Sequence, residues 1–173
     1  GYFKVYSSPY DHFWCCTGSG MENFSKLGDS IYFHSNDALF VNRYTSSSIN
    51  WTEKGITITQ DADLPDVKFT INGNEQGKIV LRVPDWCKEK PTITINGEAY
   101  DVVINNGFVM IERKFIDGDV IEYHMNMQIT VHPLPDNENS VAFKYGPWVL
   151  SADMGTDNMK TDVTGVNVTI PMA

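Results

Sequence analysis

Positive charge is what this 173-residue chain has least of. Lys and Arg number 13 against 22 Asp and Glu, which leaves a formal charge of −9 and a sequence pI of about 4.7. Nucleic acid and anionic membrane both need a basic face, so neither is expected as a partner. Cysteine is scarce too. Three residues, an odd number, make no disulfide framework. Long apolar runs are absent: nowhere do about 18 apolar residues follow one another, the length a membrane-spanning helix requires. The opening Gly1-Tyr2-Phe3-Lys4 shows neither the charged nor the apolar region of a secretory leader, and the compartment is left open. Hydrophobic residues at 42% and aromatics at 12% fit a folded globular chain.

What is there begins with two adjacent cysteines, in Trp14-Cys15-Cys16-Thr17-Gly18-Ser19-Gly20-Met21-Glu22-Asn23. Neighbouring cysteines are poorly placed to bond to each other, because the ring is strained and the Cα spacing too short. They are better placed to offer two thiolates to a soft metal, or one to a metal and one to a substrate. Spacing alone favours two structural thiols over either role. His12, three residues before Cys15, is a conceivable further ligand, but its aromatic neighbours favour a packed ring. Cys87, in Pro84-Asp85-Trp86-Cys87, reads as a buried free thiol.

One helix is expected, over residues 20–33. Ser19 through Glu22 has the form of a capping box, and Met21, Phe24, Leu27 and Ile31 recur at helical spacing. From residue 38 the pattern changes to strands, expected over 38–45, 55–60, 67–72, 78–83, 91–96, 108–114, 120–125, 129–133, 141–145, 148–151 and 166–170. Asn72-Gly73, Asn96-Gly97, Asn106-Gly107 and Asp117-Gly118 punctuate them as turns, and Asn96-Gly97 is the strongest hairpin signal. Ser46-Ser47-Ser48 reads as a turn and 153–165 as a polar connection. Many short strands without intervening helices predict an all-β, antiparallel β-sandwich.

Other chemistry is thin. The Gly18 and Gly20 turn lacks the Lys of a phosphate-binding loop. Asp61, Asp63 and Asp66 read as a solvated loop rather than a calcium site, since the Gly and terminal Glu of a calcium loop are missing. Trp51, Trp86 and Trp148 read as core residues before they read as a sugar-stacking platform.

The stretch from Asp11-His12-Phe13-Trp14-Cys15-Cys16 through Thr17-Gly18-Ser19-Gly20-Met21-Glu22-Asn23 to Phe33 resembles the motif near the end of the catalytic barrel in β-L-arabinofuranosidase-like glycoside hydrolases, families 127 and 146. Val80-Leu81-Arg82-Val83-Pro84-Asp85-Trp86 and Phe143-Lys144-Tyr145-Gly146-Pro147 are similar to later stretches of the same group. The resemblance implies an (α/α)6 barrel followed by β-sandwich domains. It also implies a zinc ion held by three cysteines and a glutamate, and a thioglycosyl intermediate formed by the first cysteine of the pair, with a separate glutamate as acid/base. Carried over, Cys15 is the nucleophile, and Cys15 and Cys16 are the zinc ligands this chain offers. Zinc would keep the thiol in its reactive thiolate form. Two successive displacements would give net retention.

In the family the third zinc cysteine, the glutamate ligand and the acid/base lie upstream of this motif. The chain is therefore expected to be a C-terminal piece of a retaining glycosidase acting on β-L-arabinofuranosidic or related linkages in plant glycans. Residues 1–35 would be the end of the catalytic barrel and 36–173 the β-sandwich domain. Its partners would be the glycan substrate and the rest of the barrel, with self-association through the exposed helix face. By itself the piece is expected to be inactive and to hold no zinc. The rival reading is a non-catalytic β-sandwich that binds carbohydrate or supports a neighbouring domain; a cysteine-pair metal or redox sensor is a third.

Overall fold

Alternation of apolar and polar residues in stretches such as Ile56–Asp63 and Asp66–Asn72 calls for sheets with one buried face. The computed structural model describes residues 15–151, with side-chain surroundings from Gly18 onward. The strand expected at 166–170, the connection at 153–165 and His12 lie outside the described residues. The chain divides into two compact units; the helix α1 (Cys15–Ser25) belongs to one, and residues Asp29–Ser151 form the other.

The second unit carries fourteen short strands. One sheet has the order β1-β2-β6-β10-β9, made of β1 (Tyr32–His34), β2 (Ala38–Val41), β6 (Glu75–Arg82), β10 (Phe108–Phe115) and β9 (Ile104–Asn105). The second has the order β3-β4-β5-β11-β7-β8, made of β3 (Ser47–Trp51), β4 (Ile56–Asp63), β5 (Asp66–Asn72), β11 (Val120–His124), β7 (Thr92–Ile95) and β8 (Glu98–Tyr100). Their inner faces share one core. Leu39, Ile79, Leu81, Val109 and Ile111 come from the first sheet, and Ile58, Phe69, Ile71, Ile121 and Tyr123 from the second. Each such side chain contributes about 1.5–3 kcal/mol by leaving water. The all-β sandwich is as expected, with one exception to its antiparallel pairing: β2 runs parallel to β6, Leu39 opposite Ile79.

At one edge the two sheets are joined by polar groups. Gln60, buried on β4, donates its amide to the Thr45 carbonyl at 2.8 Å and lies 3.3 Å from the Tyr32 hydroxyl of β1. Tyr32 in turn meets Ser47 of β3 at 3.0 Å. The expected Asn96-Gly97 hairpin joins β7 to β8, and both residues have positive φ, 54° and 81°, as a tight hairpin turn requires.

A third sheet follows the sandwich: β12 (Ile129–Leu134), β13 (Asn137–Tyr145) and β14 (Trp148–Val149). Gly146 in the β13–β14 turn has φ 54°, and a Cβ there would come within 2.2 Å of the Met127 sulfur. The Gly146-Pro147 pair thus sits where only glycine fits without movement.

The helix differs from expectation. It spans Cys15–Ser25, so Ser19 lies within it and is not its N-cap. It ends before Gly28-Asp29-Ser30, where Ser30 takes φ 62°, and the expected last turn is instead β1, paired with β2 through Tyr32 and Val41. Residues that hydrogen-bond locally end helices, which outweighed the 3.6-residue spacing of Ile31. Ile31 is buried, and its carbonyl accepts from Asn42 N at 2.9 Å. The expected Ser46–Ser48 turn is largely strand β3, a polar edge strand with alternating burial.

Candidate functional site

Cys15 and Cys16 are consecutive backbone positions on α1, with Met21 and Phe24 further along it. Consecutive helical positions stand about 100° apart around the axis. A vicinal pair on a helix therefore serves two different groups more readily than it serves itself. The side chains of Cys15 and Cys16 lie outside those described. Among the described residues no group of three or more His, Cys, Asp or Glu is arranged to hold a metal. Asp61, Asp63 and Asp66 do not share one loop as expected: the first two are on β4 and the third on β5, with Asp63 opposite Asp66. Cys87 is a buried free thiol as expected, and burial pushes its pKa up, which makes it a poor nucleophile.

The second familiar stretch is built around the Arg82 carbonyl at the end of β6. Tyr44 and Tyr123 both donate their hydroxyls to that one oxygen, Tyr123 at 3.2 Å. Burial drives both phenol pKa values upward, so the pair remains neutral donors. The next residue, Val83, donates its N–H to Gly107 O at 2.7 Å, and Cys87 N closes a turn on Pro84 O at 2.9 Å. Trp86 packs against the core. The stretch acts here as a rigid corner leaving the first sheet.

Two surface features were not legible in the sequence. The outer face of the second sheet forms a depression of about 450 Å³ lined by Asp66, Lys68, Thr94, Glu122 and His124 among others. In it His124 Nδ1 meets Asp66 at 2.6 Å, and Thr94 donates to Glu122 at 2.8 Å. The alternation of 120–124 marks Glu122 and His124 as outward-facing, but only the β5–β11–β7 register brings their partners alongside. The outer face of the first sheet carries an apolar groove of about 410 Å³ around Phe40, Val80, Phe108 and Met110. The three tryptophans form no shared platform: Trp51 is buried near His34, Trp86 is partly buried, and Trp148 lies on the third sheet beside Tyr145.

Comparison with known proteins identifies the sandwich. Residues 38–127 match the family described as "Beta-L-arabinofuranosidase, GH127 middle domain". Among solved structures, the chain is similar to a GH127 β-L-arabinofuranosidase from Geobacillus stearothermophilus T6. Identity is 28% and the TM-score 0.69, over 78% of this chain and 23% of that one. A second GH127 β-arabinofuranosidase gives 26% identity and a TM-score of 0.68, over 78% of this chain and 25% of that one. A further structure titled as a glycoside hydrolase shares the fold at 24% identity and a TM-score of 0.67, over 84% of this chain and 28% of that one. The chain thus spans about a quarter of the length of these solved relatives. A search of curated protein sequences returned no match.

Proposed function

The chain belongs to the GH127 β-L-arabinofuranosidase family, its residues 38–127 forming that family's middle domain, and from this we propose that it is the part of a retaining glycosidase that carries the nucleophile and the supporting sandwich. The observation that carries the reading is the family match on the sandwich, joined to the vicinal cysteines on α1 just ahead of it. The substrate is a β-L-arabinofuranoside or related linkage of a plant glycan.

Cys15 acts as nucleophile. Its thiolate sulfur forms a bond to the anomeric carbon as the bond from that carbon to the leaving oxygen breaks; an acid group elsewhere in the enzyme protonates that oxygen. Water, deprotonated by the same group, then attacks the anomeric carbon and the carbon–sulfur bond breaks. The thiolate is regenerated and configuration is retained. A thiolate suits the first step because it is nucleophilic without a strong base beside it. The zinc that the resemblance implies needs four donors, of which Cys15 and Cys16 are two. Among the described residues no group completes such a site; the other two donors would come from elsewhere in the enzyme, and the metal would supply the charge that keeps the thiol ionised. The Met21 and Phe24 face of α1 docks within the barrel of that enzyme.

The test uses the intact enzyme with an aryl β-L-arabinofuranoside. Cys15→Ala should abolish turnover, and a slow substrate should leave a glycosyl adduct on the wild-type Cys15 peptide by mass spectrometry. Cys16→Ala should lower bound zinc first and activity through it. The 173-residue chain alone should not turn the substrate over. Full activity in Cys15→Ala, or an adduct on another residue, would sink the assignment.

The second reading, a supporting module, is favoured for the sandwich itself. Its buried groups, Gln60 and Asp119 included, join strands and turns of the sandwich to one another.

A further inference from the structure

The Asn-Gly pairs that punctuate the strands carry chemistry besides turn geometry. The backbone nitrogen that follows an asparagine can attack the asparagine side-chain carbon, and glycine, without a Cβ, hinders that attack least. The chain holds three such pairs, Asn72-Gly73, Asn96-Gly97 and Asn106-Gly107, and Asp117-Gly118 can cyclise in the same way. The fold treats them unequally. Asn96 and Asn106 are a matched pair. Each opens a two-residue hairpin turn, with φ 54° and 49°, and each is followed by a glycine, at φ 81° and 78°. Ring closure from that conformation requires the turn to rotate, so the reaction goes where the residue is held least. Asn96 is held at both ends of its amide: Nδ2 donates to Asp119 at 2.8 Å and Oδ1 accepts from Val120 N at 2.9 Å. At Asn72 the attacking nitrogen is engaged, because Gly73 N donates to Asp117 Oδ1 at 2.8 Å. That bond also occupies the Asp117 carboxylate, and Gly118 N donates to Ile71 O at 2.9 Å. Asn106 has neither restraint. It is exposed, and among the described residues its side-chain amide and the Gly107 N–H have no hydrogen-bond partner. Gly107 is held through its carbonyl alone, which accepts from Val83 N at 2.7 Å. The turn leads from β9, a two-residue strand at the edge of the first sheet, and such an edge opens readily.

We propose that Asn106-Gly107 is a site of spontaneous covalent modification, at which Asn106 converts through a succinimide to aspartyl and isoaspartyl products while the other three pairs stay intact in the folded protein. Gly107 N loses its proton and bonds to Asn106 Cγ. The bond from Cγ to Nδ2 breaks, and ammonia leaves carrying that proton. Water then opens the ring, so that in sum water replaces ammonia. Cleavage of the new Cγ–N bond gives the aspartyl product. Cleavage between the main-chain carbonyl and that nitrogen gives the isoaspartyl product, whose backbone runs through the side chain. Both products put a negative charge at position 106, which borders the apolar groove around Phe40 and Phe108. The isoaspartyl product also lengthens the backbone within a two-residue turn whose length sets Asn105 opposite Phe108. The strain falls on the bond from Val83 N to Gly107 O, and through it on the corner that follows Arg82. Modification thus makes the rim of the groove anionic and loosens β9. The proposal uses neither the family membership nor the cysteine chemistry.

Peptide mapping of the 173-residue chain tests it. The folded chain is incubated at mildly alkaline pH, digested at mildly acidic pH, and analysed by chromatography and mass spectrometry. A mass gain of about 1 Da, split into aspartyl and isoaspartyl peptides, should accumulate at Asn106. It should do so about tenfold or more faster than at Asn72 or Asn96, which must first break a hydrogen bond. In urea the restraints are gone, and the three Asn-Gly pairs should react within about twofold of one another. Asp117→Ala frees Gly73 N and should speed Asn72 by about tenfold in the folded chain, while Asn96 stays slow. Asn106→Gln should abolish the signal at 106. Equal rates at the three pairs in the folded chain, or faster reaction at Asn72 or Asn96, would overturn the proposal. So would an Asn106 that stays intact in the folded chain yet reacts in urea, or an Asn72 rate that Asp117→Ala leaves unchanged.

Discussion

Asp119→Ala should cost the sandwich a large part of its stability. The Asp119 side chain is 1% exposed, in the turn between β10 and β11. It accepts from the Asn96 amide at 2.8 Å and from the Ile116 N–H at 3.0 Å, with Arg113 at 3.7 Å. Asn96 faces it from the β7–β8 turn, and its own Oδ1 accepts from Val120 N at 2.9 Å. The carboxylate therefore locks two hairpin turns together. Hydrogen bonds to a charged acceptor are worth about 1.5–3 kcal/mol each, and the half-exposed Arg113 adds at most about 1 kcal/mol. Removing the carboxylate leaves two donors without an acceptor, so Asp119→Ala should lower the unfolding free energy by about 3–5 kcal/mol. That is about a fifth or more of the roughly 5–15 kcal/mol stability of an ordinary domain. Asp119→Asn keeps one acceptor and should cost about half as much. Burial pushes the carboxyl pKa up, but the Asn96, Ile116 and Arg113 contacts more than offset this and hold it below the usual carboxylate range. The unfolded chain then binds more protons at acid pH. The contribution is complete above the unfolded pKa of about 3.9 and is lost as pH falls through the lower folded value. Urea unfolding followed by far-ultraviolet circular dichroism, from pH 7 down to 2, measures both effects. The reasoning fails if Asp119→Ala unfolds within about 1 kcal/mol of wild type, or if Asp119→Asn leaves the acid slope unchanged.

Two further sets of substitutions probe the surroundings of Gly146 and of the Arg82 carbonyl, both in stretches that carry the family resemblance. Gly146→Ala places a side chain at φ 54° and against Met127. It should destabilise the third sheet by about 1–3 kcal/mol, with Met127→Ala restoring only the steric share, read as exchange rates over 129–149. Tyr44→Phe and Tyr123→Phe each leave the Arg82 carbonyl with one donor and should cost about 1 kcal/mol or less, whereas the double variant strands that carbonyl and should cost at least about 1 kcal/mol more than the sum. Additive denaturation energies would show that the two hydroxyls do not share the oxygen.

Most of the sandwich was legible because burying one face enforces a period of two. Ile56 and Ile58 alternate with Thr57 and Thr59, and the strand lies where the pattern puts it. Turns were legible where glycine supplies positive φ, as at Gly97 and Gly107. What escaped was set by partners distant in sequence. Strand β3 is polar and lies at an edge, so its Ser47-Ser48 start looks like a turn. Strand β1 exists because Tyr32 and Phe33 pair with β2, a choice that local helical spacing cannot reveal. The parallel β2–β6 contact pairs residues 40 apart in sequence and leaves no local mark. The chemical reading of the cysteine pair rests on the motif alone, since spacing by itself favoured two structural thiols.

The helix bearing that pair is weakly supported by its own residues. It contains Gly18 and Gly20, which cost about 1 kcal/mol each relative to alanine. It has no acidic residue in its first turn and no basic residue in its last, so the helix dipole gains no complement. The Ser25 hydroxyl bonds back to the Glu22 carbonyl at 2.8 Å, a contact that competes with regular helix. At 11 residues it is shorter than the roughly 12–15 at which isolated helices become marginal. Met21 and Phe24, three apart and so on one face, are 63% and 79% exposed. The sandwich, by contrast, holds Leu39, Ile58, Phe69 and Ile121 at zero exposure without help from any other domain. The sandwich buries its core with its own residues, while the helix with Cys15 and Cys16 leaves Met21 and Phe24 exposed; under the proposed function, what packs against that face sets the geometry of the pair.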